Sequence, residues 1–412
     1  MVVPVWGRVI AAVAGGSLVV IVWCSVIGAL IVPRAVASRL TRVTDRAVNW
    51  MFQLVIRRVD DLRRRDRALS AQAAGILIGQ LVTWLSISYL GFALLLWPFE
   101  AHGASAAFVA AGSSLFTLGF DVPPGSVPAV LVFLAAATGL VVITLQIAYL
   151  PTLYAAFNRR ETDVALLNAR AGVPSWGPEL LARTHYGLGG VSTINTMPDL
   201  YAQWERWAAD VAESHTTYLP LVRFRSPRPK SSWVTALLAV LDSAALFLAL
   251  SPQDAPVVPA RLCLRSGFDC FRRIGQAMGF DIPDEADPDD SITLTYEEFL
   301  YGVKRMKEVG FPLQRDPADA WPDFVGWRVN YERAAYLVAY AVDPVRAKWS
   351  GPRRDGRPEL EPFRPAPGRL PQPAGQGPDG TAQDRAARSG ADSHTDAHER
   401  AQLPRLAAYC VP

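Results

Sequence analysis

The stretch that decides the fold is residues 104–125, which read ASAAFVAAGSSLFTLGFDVPPG. It follows one stretch without Asp, Glu, Lys, Arg or His, residues 68–99, and runs into a second, residues 122–157. About twelve small apolar residues form a helix of about 18 Å, which is too short to cross a hydrocarbon layer of about 30 Å. The composition therefore predicts a re-entrant pore helix over 104–116, followed by non-helical backbone. Such backbone survives at membrane depth only where protein buries it or where it lines a water-filled path.

A third uncharged stretch, residues 9–32, lies near the N-terminus. All three stretches exceed the roughly 20 residues that a membrane-spanning helix needs, so we expect spans within 1–33, over 71–98 and over 126–154. The alternative for the first stretch is a cleaved signal peptide. Its apolar run is longer than the roughly 7–15 residues of a secretory core, and we therefore expect a retained anchor.

The overall composition agrees with a membrane protein. The chain has 412 residues, of which 50% are hydrophobic and only 19% are charged, whereas soluble domains carry about a quarter charged residues. The formal net charge of +3 gives no case for nucleic-acid binding. Four scattered cysteines and isolated histidines give no metal-binding spacing, and no nucleophile elbow, phosphate-binding glycine loop or dinucleotide motif indicates an enzyme. We therefore expect no metal site, no cofactor and no catalytic residue.

The charges of the loops predict the orientation. Residues 34–70 hold ten arginines against four aspartates, whereas residues 99–125 hold Glu100 and Asp121 and no Lys or Arg. Because positive charge is retained in the cytoplasm, we expect a multi-pass plasma-membrane protein with its N-terminus outside and everything after Arg159 inside. Membrane lipid is then a partner.

Residues 34–70 also carry a helical pattern. Apolar residues recur there at helical spacing, while most arginines occupy other faces; they are Val48, Met51, Phe52, Val55, Val59 and Leu62. This pattern predicts a helix at the lipid surface beside anionic headgroups. The alternative is an amphipathic helix that packs on a soluble domain.

Residues 114–120, Ser-Leu-Phe-Thr-Leu-Gly-Phe, resemble the Thr-x-x-Thr-Val-Gly-Tyr motif of the potassium-channel superfamily. The resemblance covers roughly residues 70–155, with an outer helix, a pore helix, a filter and an inner helix in the family's order. It implies K⁺ or another monovalent cation as the permeant ion. It also implies a homotetramer, because rings of backbone carbonyls from several chains replace the water shell of the ion and one chain offers only one such segment.

The resemblance assigns roles to particular residues. The ion-conducting filter is Thr117, Leu118, Gly119, Phe120 and Asp121, with the dihedral freedom of Gly119 turning carbonyls toward the axis and Phe120 packing behind. Asp121 stands where the family has a glycine followed by an aspartate, so we expect the outermost carbonyl ring to be altered.

Other residues would support this filter. By the same resemblance, Ser113 and Ser114 end the pore helix and support the filter from behind. In the third span, Gly139 is a candidate inner-helix hinge, or alternatively a close-packing residue. Thr144 and Gln146 place polar groups on the same otherwise apolar helix and are candidate pore-lining residues.

Residues 158–345 have helical signals and few strand signals, which predicts an all-α cytoplasmic domain. Its apolar stretch 231–250 contains one charge, Asp242, and both flanks are basic, so we expect a core helix with a partnered Asp242 rather than a fourth span. Residues 346–412 are rich in proline and poor in apolar residues, which predicts disorder. The sequence thus favours a cation channel subunit. The alternative is a non-conducting membrane scaffold or sensor with a relic pore loop.

Overall fold

The computed structural model describes residues 5–32, 39–56, 59, 61–100, 103–185, 192–285, 290–351 and 358–364. Within these residues the protein is 75% helix without strands, which confirms the all-α prediction. The helices are α1 Val5–Leu30, α2 Arg39–Ile56, α3 Leu62–Ser70, α4 Gln72–Leu96, α5 Ala104–Leu115, α6 Ser126–Ala171, α7 Gly177–Ala182, α8 Met197–Thr217, α9 Trp233–Leu250, α10 Val257–Ala277, α11 Tyr296–Glu308, α12 Pro317–Arg328 and α13 Glu332–Val342.

Four helical segments of the described chain are long and apolar enough to cross a membrane. They are Trp6–Leu30, Arg64–Phe99, Ser126–Ala171 and Trp233–Leu250. The first three contain the three predicted spans, and the fourth is the stretch for which the flanking charges favour a protein core. A short apolar helix, α5, stands between the second and third segments.

Helices α1 and α4 cross at a pair of glycines. A Cβ atom placed on Gly15 would lie 2.5 Å from the carbonyl oxygen of Gly91, and one on Gly91 would lie 3.1 Å from that of Gly15. The two backbones therefore touch directly. Small residues at a crossing are the usual means by which apolar helices pack closely within a membrane.

The predicted helix of the 34–70 loop is two helices in the structure. α2 ends at Ile56, where Val59 N donates to the carbonyl of Ile56 at 3.0 Å, and α3 begins at Leu62. Val59 and Leu62 therefore do not continue the apolar stripe of α2. The break follows from a turn that the periodicity of the apolar residues does not reveal.

α2 packs on α4 through both polar and apolar side chains. Gln72 of α4 donates to Asn49 at 2.8 Å, Gln80 donates to Asp45 at 3.1 Å, and Val48 faces Gly79. The exposed residues of α2 include large apolar ones and arginines; they are Val43, Trp50, Met51, Leu54, Val55, Arg42 and Arg46. Exposed apolar residues beside arginines are compatible with the lipid-surface helix that the sequence predicts.

α6 continues beyond the predicted end of the third span at residue 154. It runs without interruption from Ser126 to Ala171, 46 residues or about 70 Å, with Pro151 inside it. Gly172, at φ +80°, follows its last residue. One helix thus connects the predicted inner span directly to the helices that follow it, so the predicted boundary at residue 158 falls in mid-helix.

The domain formed by residues 158–351 is built around α9. This helix is almost fully buried by protein, and Asp242 forms an ion pair with Arg328 of α12 and accepts a hydrogen bond from Tyr331 at 2.8 Å. The prediction of a core helix with a partnered Asp242 is therefore confirmed. Trp233, Phe247 and other large side chains complete the core.

The starts of the last three helices are defined locally. Thr295 and Glu298 form a capping box at the start of α11. α12 contains Pro322, and Tyr331 stands immediately before α13.

The segment 346–412, predicted to be disordered, is partly ordered. Leu360 N donates to the carbonyl of Arg346 at 2.7 Å, Phe363 N donates to that of Val173 at 3.0 Å, and Arg364 pairs with the fully buried Glu179 at 3.0 Å. Proline-rich composition disfavours helix and strand, but it does not prevent an extended segment from docking. Residues 365–412 lie outside the described part of the chain.

Candidate functional site

The candidate site is the loop that follows α5. α5 packs between α4 and α6 through small residues, with Ala110, Ala111 and Leu115 fully buried against Phe92 and Ala135. Alanines allow the short helix to approach its neighbours closely. Its C-terminal end is therefore fixed by packing on two long helices.

Five consecutive backbone N–H groups after α5 converge on its last turn. Those of Leu118 and Gly119 donate to the carbonyl of Ser113 at 2.7 and 3.2 Å. Those of Phe120 and Asp121 donate to Ser113 Oγ at 3.0 and 3.1 Å. Ser113, which is 1% exposed, thus accepts four of the five hydrogen bonds.

Thr117 completes the set, since its N–H donates to the carbonyl of Ser114 at 2.9 Å. The hydroxyl of Ser114 turns the other way and donates to the carbonyl of Ala110 at 2.7 Å. The two serines singled out by the sequence therefore differ. Ser113 contacts the loop through both backbone and side chain, and Ser114 contacts it through its backbone alone.

The direction of these N–H groups fixes the direction of the carbonyls. In a planar trans peptide the C=O of one residue points opposite to the N–H of the next. With the N–H groups of residues 117–121 on Ser113 and Ser114, the carbonyls of residues 116–120 point away from α5, and all five of these residues are exposed. Among the described residues, this loop bonds to α5 through its N–H groups and not through these carbonyls.

The backbone of the loop is left-handed at two alternate positions. Thr117 has φ +58° and Gly119 has φ +73°. A β-branched residue such as threonine adopts a positive φ only at an energetic cost, and such positions concentrate at functional sites. Asp121 does not have a positive φ, so the left-handed backbone is confined to Thr117 and Gly119 within residues 117–121.

The large apolar side chains of residues 117–121 are exposed. Leu118 is 64% exposed and Phe120 is 68% exposed. The expected packing of Phe120 behind the loop is not found within the chain, because its side chain is exposed. A Cβ on Gly119 would meet nothing within 4 Å, so this glycine is needed for its dihedral angle and not for space.

The three residues singled out in α6 take different positions. A Cβ on Gly139 would lie 1.9 Å from the carbonyl oxygen of Leu115, so Gly139 lets α6 touch the end of α5, which favours close packing over a hinge. Thr144 is exposed. Gln146 is buried, and its Oε1 has no hydrogen-bond partner among the described residues.

A fully buried arginine connects α6 to the rest of the domain. Arg160 donates to the carbonyls of Leu221 and Phe224 at 2.9 and 2.7 Å and contacts His215 Nε2 at 2.9 Å. Burial and the charge of Arg160 hold the pKa of His215 well below its usual value, so the imidazole is neutral. This cluster is not predicted by the sequence, because two consecutive arginines after an apolar stretch, Arg159 and Arg160, indicate only a positive-inside charge.

No protein-family profile, curated protein or solved structure matches this chain. In the described part of the chain, no three His, Cys, Asp or Glu residues come together in a way that could hold a metal ion. The geometry of the loop itself is therefore the basis for a functional proposal.

Proposed function

We propose that this protein is a subunit of a cation channel that conducts K⁺ or a similar monovalent cation. The observation that carries the proposal is the convergence of five N–H groups of residues 117–121 on Ser113 and Ser114. It leaves a row of carbonyl oxygens directed away from the protein. Such oxygens can replace the water shell of an alkali cation.

The oligomer follows from the number of oxygens required. One chain supplies one row of carbonyls, so a closed ring of copies, a homotetramer by resemblance to the potassium-channel superfamily, would surround the ion. The exposed Leu118 and Phe120 would pack between neighbouring copies. Asp121, at the outer end of the row, would favour cations over anions by its charge.

The topology of the proposed channel comprises three spans in the plasma membrane. α1, α4 and the first part of α6 cross, α5 re-enters from outside, and α9 remains in the cytoplasmic domain because protein already covers it. The continuous α6 would connect movements of the cytoplasmic domain to the inner side of the pore.

The test is K⁺ flux through the purified full chain in liposomes. Wild-type protein is expected to conduct, and Gly119→Ala is expected to reduce flux at least tenfold, because alanine disfavours a φ of +73°. Gly16→Ala is the matched control, since a Cβ on Gly16 meets nothing within 4 Å and its φ is not left-handed. Folded tetrameric protein without any flux would contradict the proposal.

The second candidate function, a non-conducting scaffold or sensor, is favoured by Asp121, which occupies the place of the family's second glycine without a left-handed backbone. Replacement of Asp121 by Gly-Asp distinguishes the two. A channel is expected to become more selective for K⁺ over Na⁺. A scaffold is expected to conduct neither ion.

A further inference from the structure

A cavity lies where α3 meets the cytoplasmic domain. It has a volume of about 690 Å³ and is lined by five cations and three carboxylates. The cations are Arg65, Arg225, Arg228, Lys230 and Arg346. The cavity therefore has an excess of positive charge.

Two of the three carboxylates are already neutralised by ion pairs across the cavity. Arg65 Nη2 lies 2.6 Å from Asp343, and Arg225 Nε lies 2.6 Å from Asp66. These pairs join α3 to the segments before α9 and after α13. These two ion pairs hold one side of the cavity in place. They do not neutralise the positive charge of the other cations that line it.

Arg228 and Lys230 are the available cations. Both are exposed, and neither side chain has a hydrogen-bond or ion-pair partner within the part of the chain that the structure describes. They lie on a short proline-containing segment, Pro227–Lys230, whose backbone is held by the hydrogen bond from Ser231 N to the carbonyl of Arg228 at 3.0 Å. Two unpartnered cations on a restrained segment suit a phosphate group.

The apolar part of the lining distinguishes between phosphate-bearing ligands. Leu69, Pro344, Val345 and Leu360 line the same cavity, and Leu69, in the last turn of α3, lies three residues before the apolar helix α4. An inorganic phosphate ion would gain nothing from contact with these apolar residues. A phospholipid has both an anionic headgroup and an apolar body, and basic pockets at the cytoplasmic end of a membrane helix bind such headgroups.

We propose that this cavity binds the headgroup of an anionic phospholipid of the cytoplasmic leaflet, with Arg228 and Lys230 on the phosphate. The proposal rests on the cytoplasmic orientation of the 34–70 loop but not on ion conduction. Bound lipid would bridge α3, residues 225–230 and residues 343–346. It would thereby hold the cytoplasmic domain against the membrane.

The test is native mass spectrometry of the full chain in detergent, titrated separately with phosphatidylglycerol, phosphatidylcholine and inorganic phosphate. Wild-type protein is expected to retain phosphatidylglycerol over phosphatidylcholine. R228Q/K230Q is expected to lose roughly 30-fold in affinity for phosphatidylglycerol, since each cation contributes about a factor of five.

Two further variants serve as controls. K304Q/K307Q makes the same change in charge on exposed lysines of α11 and is expected to bind as wild type does, as is R228K/K230R, which keeps both charges. Unchanged phosphatidylglycerol binding by R228Q/K230Q would overturn the proposal. Inorganic phosphate that displaces the lipid from wild type at equal concentration would overturn the choice of a lipid. No flux is measured, so failure of the channel proposal leaves this test intact.

Discussion

α6 and α9 are almost equally apolar, with peak mean hydropathies of 2.4 and 2.1, yet 94% of the apolar window of α9 is buried by protein and only 33% of that of α6. Around α9 lie α7, α10, α12 and α13, whereas α6 leaves Phe133, Leu140 and Ile147 exposed. Hydropathy thus reports that a helix avoids water, not which medium replaces the water. The basic residues on both sides of α9 indicated that protein, and not lipid, surrounds this helix.

The two helices also treat polar groups differently. Inside α9, Asp242 is bound by Arg328 and Tyr331, and Ser243 contacts the hydroxyl of Tyr201 at 3.3 Å. Beside α6, the carbonyls of residues 116–120 point away from α5. A domain core satisfies its polar groups internally, and the proposed pore leaves them for an ion.

The largest effect is expected from breaking the ion pair of the core. Arg328→Met leaves the buried Asp242 and Glu332 without their shared cation and is expected to lower the free energy of unfolding of this region by about 3–5 kcal/mol. Hydrogen exchange of α9 amides in the full chain measures it. Arg273→Met, which removes a more exposed ion pair with Glu213, is the control and should cost less than about 1 kcal/mol; equal losses would contradict the assignment of α9 to a core.

The contact between α5 and α6 comes next. Gly139→Ala places a Cβ 1.9 Å from the carbonyl oxygen of Leu115, and such overpacking is expected to cost about 3 kcal/mol. The melting temperature of the full chain in detergent should fall, while Gly16→Ala should leave it unchanged or higher. An unaffected melting temperature would mean that α6 does not touch α5 in the folded protein.

A pH-dependent effect of similar size is expected where α2 packs on α4. Burial between α2 and α4 raises the pKa of Asp45 from 3.8 to about 6, against the opposing hydrogen bond from Gln80 and charge of Arg223. Because the folded pKa is raised, the protonated carboxyl favours the docking of α2 in full below about pH 4, and that contribution is lost as the pH rises through about 6, a change of about 3 kcal/mol.

Amide protection factors of α2, measured on both sides of pH 6, test this expectation. Protection should fall with rising pH in wild type. Asp45→Asn, which keeps a neutral side chain at every pH, should remove the dependence. A dependence that persists in this variant would assign the titration to another group.

The smallest effect is expected at an exposed ion pair of α6. Arg159 pairs with Asp210 at 3.1 Å, but both side chains are well exposed. Arg159→Gln is expected to change the free energy of unfolding by less than about 1 kcal/mol, as measured by denaturant titration. A loss comparable to that of Arg328→Met would show that exposure does not separate the two kinds of ion pair.

The sequence predicted the helical class, the three long apolar stretches and the buried Asp242, because length, charge and periodicity are local properties of a chain. It did not predict that α6 continues to Ala171. The residue types between 154 and 171 are compatible both with a continuous helix and with a domain boundary, so they do not decide between the two. Nor did it predict that Ser113 would accept four backbone N–H groups or that Arg160 would be buried. Those contacts depend on residues distant in the sequence or on dihedral angles that the residue types alone do not fix.

The carbonyls of residues 116–120 are proposed to coordinate a cation. Solid-state NMR of an isotope-labelled carbonyl at Leu118, in bilayers in which K⁺ replaces a large organic cation, tests this coordination. The chemical shift of Leu118 is expected to change, and that of Leu115, whose carbonyl packs against Gly139, is expected to stay the same. A Leu118 shift that is the same with both cations, in protein shown to be folded, would show that this carbonyl does not bind the ion.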